Sequence, residues 1–104
     1  MTKAAFWRRD GAIQGFSLEG HCGGRAGSDI VCAAVSSAAY LTANTVTDVY
    51  GCAAEVAVRD GLLTLRLSPE DSARCQPILV GFYRHIQELE AQYPRRITLE
   101  ITEV

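Results

Sequence analysis

Two Asp-Gly pairs, each lying between segments with strand-like sequence, most strongly constrain how this chain of 104 residues can fold. The first pair is Asp10-Gly11 and the second is Asp60-Gly61. Asp-Gly favours a type I′ turn, which needs a positive φ at both central residues and matches the twist of the two flanking strands. We therefore expect two β-hairpins, over residues 3–19 and 55–68.

The second hairpin and the C-terminal segment also show the alternation of apolar and polar residues that is typical of strands. Such alternation indicates that one face of the strand is buried and the other faces solvent. Only the last step, to the C-terminal residue, is out of phase. The alternating apolar residues are Val56, Val58, Leu63, Leu65 and Leu67 in the hairpin, and Ile97, Leu99, Ile101 and Val104 at the C-terminus.

Two helices are predicted between these strands. The first covers about residues 30–50 and stops at Gly51, because glycine readily takes the left-handed conformation at a helix end. The second begins after a cap at Ser68, and its interior contains Pro77, which kinks or restarts a helix. Pro94 ends this second helix.

These elements follow one another in the order β-β-α-β-β-α-β. We therefore predict a single α+β domain over residues 1–104, with both helices packed on one face of a mainly antiparallel sheet.

The composition and the charge of the chain disfavour several classes of protein. Hydrophobic residues make up 48% of the chain and charged residues 21%, which is typical of globular proteins and disfavours intrinsic disorder. The formal net charge of −2 disfavours direct binding to nucleic acid. We expect no membrane span, and residues 1–10 lack the apolar core of a secretory signal. The chain is therefore expected to be cytoplasmic, with no membrane partner.

Four cysteines, Cys22, Cys32, Cys52 and Cys75, allow three uses: a disulfide framework, a metal site or one reactive thiol. The lack of a secretory signal disfavours the disulfide framework. His21 and three of the thiols could ligate a metal, but structural zinc normally uses C-x-x-C pairs and none is present, so we expect no metal and no cofactor. Cys52 and Cys75 are predicted to be buried core residues.

Cys32 lies where the local structure favours a thiolate. The first helix is expected to begin at Ser28 or Asp29, so that Cys32 falls in its first turn. Unpaired N–H groups and the helix dipole stabilise an anion there and lower the pKa of a thiol. His21, at the end of the preceding strand, could form a thiolate–imidazolium pair with Cys32. The alternatives are a small buried cysteine and a polar surface or capping histidine.

Asp29 and Ser36 lie on either side of Cys32 in the predicted helix. Asp29 is either the helix cap or the group that orients His21, as in a catalytic triad. Ser36, one turn beyond Cys32 on the same face, either packs and bonds back to a carbonyl or faces the same pocket. The glycines before the helix match neither the dinucleotide-binding fingerprint nor the P-loop spacing, which disfavours a phosphate site.

The segment from Gly20 to Ser36 resembles the ribosomal-processing cysteine protease family of bacteria. The resemblance depends on Gly20-His21, a glycine-bearing loop, and the run D-I-V-C-A-A-V-S. The element order and Tyr93-Pro94 before the last strand are also similar, so the resemblance covers nearly the whole chain.

Membership of this family implies that Cys32 is the nucleophile and His21 its base. Gly20, Asp29 and Ser36 would then support the site or line it for the substrate. The resemblance further implies a homodimer whose substrate is a large-subunit ribosomal protein with a short N-terminal extension, which the enzyme removes. The alternative from a different class is a non-catalytic, dimeric, ribosome-associated module that only binds the extension.

The loop between His21 and Asp29 differs from the family pattern. Cys22 stands where alanine is expected, and the loop is one residue shorter, with Gly24 and Arg25 in place of an aromatic and small residues. We expect this loop to be flexible and to become ordered on substrate, and Cys22 is a candidate for a reversible disulfide with Cys32. The loop consists of Cys22, Gly23, Gly24, Arg25, Ala26, Gly27 and Ser28.

Overall fold

The computed structural model describes residues 1–20 and 30–104. The strands are β1 (Thr2–Arg9), β2 (Ala12–Glu19), β3 (Glu55–Arg59), β4 (Leu62–Arg66) and β5 (Ile97–Glu103). The helices are α1 (Ile30–Asn44), α2 (Pro69–Arg74) and α3 (Gln76–Gln92), and a π-helical segment, Thr45–Val49, continues from α1. The predicted order of elements is confirmed, with the second predicted helix divided into α2 and α3.

The five strands form one sheet in the order β3-β4-β2-β1-β5. Neighbouring strands are antiparallel except for β1 and β5, which are parallel. The helices α2 and α3 carry the chain from β4 to the far edge of the sheet, and such a crossover brings the chain back in the same direction. The prediction of a mainly antiparallel sheet is therefore confirmed, and β3 and β5 are its two edges.

Aromatic rings join the helical layer to the sheet at the centre of the core. The ring of Phe16 on β2 lies 4.8 Å from that of Phe82 on α3, between centroids, and Phe6 on β1 lies 5.6 Å from Phe82. All three phenylalanines are buried. Tilted and edge-to-face contacts of this kind stabilise a core beyond the area they bury, so they secure α3 against the middle of the sheet.

The two hairpins form, but their turns differ. Asp10 and Gly11 have φ values of 51° and 83°, so the type I′ turn predicted there is confirmed. In the second turn Gly61 has a φ of 76°, whereas Asp60 is not among the residues with positive φ, so a type I′ turn is wrong for this hairpin. Some two-residue turns need a positive φ only at their second central residue, and here Gly61 satisfies that need without Asp60.

The strand β4 ends two residues before the predicted boundary, at Arg66. The N–H of Leu67 donates to Gln14 O, and Ser68 then begins the next helix instead of extending the strand. The hydroxyl of Ser68 accepts a hydrogen bond from the N–H of Asp71 at 3.2 Å, which confirms the predicted cap.

Proline and threonine explain where the helices depart from regular α-helix. A break at Cys75 separates α2 from α3, and Pro77 lies at the start of α3, where its missing N–H needs no partner. The first helix changes to π-helical form at Thr45. The hydroxyls of Thr45 and Thr47 donate to the carbonyls of Leu41 and Ala43, four residues before each, and such bonds compete with the α-helical ladder.

Together α1 and the π-helical segment, Ile30–Val49, are long and apolar enough to cross a membrane by length and composition. Length and composition alone do not make the segment a membrane span, because the core helix of a folded domain passes the same test, so the expectation of no membrane span stays a prediction. One face of the segment packs in the core, which is where a helix of small apolar residues fits closely against its neighbours. The residues of this face are Val31, Val35, Ala39, Thr42, Ala43 and Val46.

Candidate active site

Gly20 determines how the chain leaves the sheet at the end of β2. Its φ is +97°, and a Cβ atom at this position would lie 2.4 Å from the carbonyl oxygen of Met1. Its N–H also donates to Gly61 O at 3.0 Å, which ties the end of β2 to the β3–β4 turn. Both the conformation and the close approach require glycine here. Gly20 thus sets the direction of the backbone immediately before residue 21.

Cys32 lies in the first described turn of α1 and is half-buried. It borders a cavity of about 240 Å³ between α1, the end of β2 and the β3–β4 turn. The wall on the α1 side includes Ser36 and Tyr40, which follow Cys32 at intervals of four residues and so lie on the same face of the helix. The structure therefore brings Cys32, Ser36 and Gly20 together around one cavity.

The opposite wall of the cavity comes from the sheet. Leu18 and Leu63 supply apolar surface, and Arg59 at the end of β3 and Asp60 in the β3–β4 turn add polar groups to the lining. A cavity with an apolar wall and a few polar groups beside a thiol is suited to holding a peptide segment next to the sulfur.

Tyr40, Arg59 and Asp60 are among the residues that line this cavity without having been predicted from the sequence. Tyr40 could have been found, since it lies two helical turns beyond Cys32 on the face that contains Ser36. Arg59 and Asp60 carried no such signal. They reach the cavity because β4 pairs with β2, with Leu62 opposite Glu19, and this pairing sets the β3–β4 turn beside the end of β2.

Several predicted site residues lie outside the described residues. They are His21, Asp29 and the loop of Cys22, Gly23, Gly24, Arg25, Ala26, Gly27 and Ser28. The pairing of His21 with Cys32 therefore stays a prediction, as do the roles of Asp29 and of Cys22.

Cys52 and Cys75 are buried, as predicted, with 5% and 0% of their surface exposed. The sequence did not indicate that they touch, but their Sγ atoms lie 3.4 Å apart. Burial, together with the hydrogen bond to the neighbouring Cys52 and its charge, raises the pKa of the Cys75 thiol to about 11. The Cys75 thiol is therefore held in the protonated form at neutral pH.

No group of three His, Cys, Asp or Glu side chains within residues 1–20 and 30–104 is arranged to hold a metal ion. The two buried thiols thus pair with each other and have no third described ligand beside them.

Solved structures share this fold over the whole chain. A Streptococcus mutans protein, SMU.848, is 30% identical, with a TM-score of 0.87 over 100% of this chain and 99% of that one. The ribosomal processing protease Prp from Staphylococcus aureus, in complex with a covalently linked product peptide, is 24% identical, with a TM-score of 0.90 over 98% of this chain and 100% of that one. The same protease in complex with a substrate peptide is 23% identical, with a TM-score of 0.86 over 98% and 100% of the two chains.

None of the curated proteins matches the chain. The family described as cysteine protease Prp matches over residues 1–98. This match spans both hairpins, all three helices and the cavity beside Cys32. Since the family match and the shared fold extend over almost the same residues, the chain belongs to the Prp family of cysteine proteases.

Proposed function

We propose that this cysteine protease is an endopeptidase that removes a short N-terminal extension from a bacterial large-subunit ribosomal protein, with Cys32 as nucleophile and His21 as its general base. The observation that carries the proposal is the position of Cys32 in the first described turn of α1, on the wall of a cavity large enough for a substrate side chain. The names of the Staphylococcus aureus relatives, ribosomal processing proteases that bind substrate and product peptides, support the choice of substrate.

The proposed reaction is acyl transfer through a thioester. The Sγ thiolate of Cys32 attacks the carbonyl carbon of the scissile peptide bond, and the negative charge passes to the carbonyl oxygen. The C–N bond then breaks as the imidazolium of His21 donates its proton to the leaving amine. Water attacks the thioester while His21 accepts a proton from it, which releases the acid product and the free thiol.

Local structure supports both the nucleophile and the charged intermediate. The N–H groups at the start of a helix point along its axis and favour negative charge, so they stabilise the thiolate. Free N–H groups in the same turn would serve as an oxyanion hole when the carbonyl oxygen becomes negative. No cofactor or metal takes part in this reaction scheme.

We assign supporting roles to three further residues. Gly20 sets the backbone direction before His21, Asp29 caps the helix or orients the imidazole, and Ser36 lines the cavity one turn beyond the thiol. The loop from Cys22 to Ser28 would cover the bound extension. We further propose that the enzyme works in the cytoplasm as a homodimer, without direct contact to nucleic acid or a membrane.

The decisive experiment is mass spectrometry of a ribosomal protein that carries its extension, after incubation with wild-type enzyme or variants. We expect the wild type to release the extension at one bond. Cys32→Ala should slow cleavage by about a thousandfold or more, and His21→Ala by a similar factor, because each removes a reacting group.

Cys52→Ala is the matched control, since it deletes a thiol that does not border the cavity, and we expect it to cleave at close to the wild-type rate. A Cys32→Ala protein that still released the extension would remove Cys32 from the mechanism. Membership of a protease family argues against the alternative of a module that only binds the extension, and intact substrate after incubation with the wild-type enzyme would reinstate it.

A further inference from the structure

Cys52 and Cys75 form a pair of free thiols that the proposed cleavage reaction does not use. Their Sγ atoms lie 3.4 Å apart, and neither residue borders the cavity beside Cys32. Within residues 1–20 and 30–104, no third His, Cys, Asp or Glu side chain completes a metal site with them. The arrangement is therefore suited to chemistry between the two sulfur atoms themselves.

Each of these thiols lies at a break in the regular structure, directly beneath the surface. Cys52 lies between the π-helical segment and β3. The residues on either side of it, Gly51 and Ala53, are exposed. Cys75 lies at the break that separates α2 from α3. Segments between regular elements open locally at lower cost than the middle of a helix or strand, so a small solute can reach a buried sulfur here.

Hydrogen bonds hold the two backbone segments side by side. The guanidinium of Arg74 donates to the carbonyl oxygen of Tyr50 at 2.9 Å, which joins the two segments beside the thiols. The N–H of Cys52 donates to Val46 O at 3.0 Å, and the N–H of Cys75 donates back into α2. A disulfide bond is about 2.0 Å long, so the sulfurs must approach by about 1.4 Å, which side-chain rotation can supply while the backbone stays in place.

We propose that Cys52 and Cys75 are a site of reversible oxidation, at which hydrogen peroxide converts the two thiols into an internal disulfide. This bond would fasten the segment before β3 to the junction of α2 and α3. The loop that it closes contains β3, β4 and α2, and with them Arg59 and Asp60 on the wall of the cavity. The proposal goes beyond the proposed function and does not depend on it.

Cys52 is the thiol that reacts first. It is 5% exposed, whereas Cys75 is 0% exposed and burial helps to raise its pKa to about 11. The Cys52 sulfur attacks one oxygen of the peroxide, the O–O bond breaks, and a sulfenic acid and one water form. The Cys75 sulfur then attacks the Cys52 sulfur. The S–O bond breaks, and the hydroxyl group leaves with the Cys75 proton as a second water. The two sulfurs lose two electrons in total, and the peroxide gains them.

The short distance between the sulfurs decides which product forms. A sulfenic acid without a thiol beside it is oxidised further to a sulfinic acid, which is not reduced again by simple thiols. Here the second sulfur lies close enough to form the disulfide first. The bond would also stabilise the fold, because it restricts the unfolded chain over the loop from Cys52 to Cys75.

Peroxide treatment of the double variant Cys22→Ser/Cys32→Ser tests the pair without interference from the other two thiols. Under native conditions we expect the protein to lose two hydrogen atoms by mass spectrometry, and peptide mapping should link Cys52 to Cys75. The melting temperature should rise by about 10 °C, and dithiothreitol should reverse both changes. Wild-type protein treated in the same way should contain the same cross-link.

Adding Cys75→Ala to the double variant gives the matched control, because it keeps Cys52 and removes its partner. In this control we expect peroxide to add oxygen atoms to Cys52 and to leave the melting temperature without an increase. The proposal would be overturned if Cys52 and Cys75 stayed reduced, or if they gained oxygen atoms instead of forming a bond. A cross-link that lowered the melting temperature, or a Cys52 that paired with Cys22 or Cys32 in the wild type, would also overturn it.

Discussion

Cys32 lies in the first described turn of α1 on the wall of a cavity, whereas Cys52 and Cys75 are buried with their sulfur atoms 3.4 Å apart. Cys75 also directly precedes a helix, α3, so proximity to a helix start does not by itself distinguish it from Cys32. Burial and the neighbouring thiol nevertheless raise the pKa of Cys75 to about 11. A helix start therefore favours a thiolate only where the sulfur also has access to solvent or substrate.

The largest expected difference between Cys32 and the buried Cys52–Cys75 pair is in the rate at which the thiols react. Native protein treated with limiting iodoacetamide at neutral pH should be alkylated at least about a hundredfold faster at Cys32 than at Cys75. Burial keeps the reagent from the Cys75 sulfur, and its raised pKa of about 11 lowers its thiolate fraction about a hundredfold below that of an ordinary thiol. Peptide mass spectrometry reports each cysteine separately. In denatured protein the rates should converge, which controls for local sequence, and equal rates in the native state would contradict an activated Cys32.

The pH dependence of stability tests the protonated state of the buried Cys75 thiol. Below pH 9.0, the ordinary pKa of the thiol, Cys75 is protonated in both the folded and the unfolded state, and its contribution to stability is complete. As the pH rises from 9.0 to about 11 the unfolded thiol loses its proton first, so the free energy of unfolding should fall by up to about 2 kcal/mol.

Urea denaturation of the wild type and of Cys75→Ala across this pH range measures the effect. The variant corrects for other groups that titrate there, and the stability difference between the two proteins should shrink as the pH rises. A difference that stays constant with pH would show that Cys75 does not titrate as its burial requires.

The smallest expected difference between the Cys32 site and the buried Cys52–Cys75 pair is in how much each thiol contributes to stability through packing. Cys52→Ala removes a buried sulfur atom and should lower the free energy of unfolding by about 1 kcal/mol, whereas Cys32→Ala should change it by less than about 0.5 kcal/mol. Urea denaturation of the wild type and the two variants gives both values, when all three midpoints are converted to free energies with the same dependence on urea concentration. If Cys32→Ala proved the more destabilising, Cys32 would be a packing residue in the core and not a side chain that faces the cavity.

Much of the fold and part of the site could be predicted from the sequence. The first hairpin turn, the cap at Ser68 and the restart at Pro77 depend on residues within a few positions of one another, so local pattern was sufficient. The second turn was predicted with the wrong type, because glycine at one central residue satisfies it without help from Asp60. The predicted neighbourhood of Cys32 and Ser36 followed from helical spacing alone.

The sequence by itself determined the elements, their order and the position of Cys32 near a helix start, since hairpin turns, caps and helical periodicity are set by neighbours along the chain. Only the tertiary structure decided the strand order, the parallel pairing of β5 with β1 and the exposure of β3. It also decided that Cys52 meets Cys75 and that Arg59 reaches the cavity. These contacts join residues far apart in the chain, and their formation depends on how the whole helical layer covers the sheet.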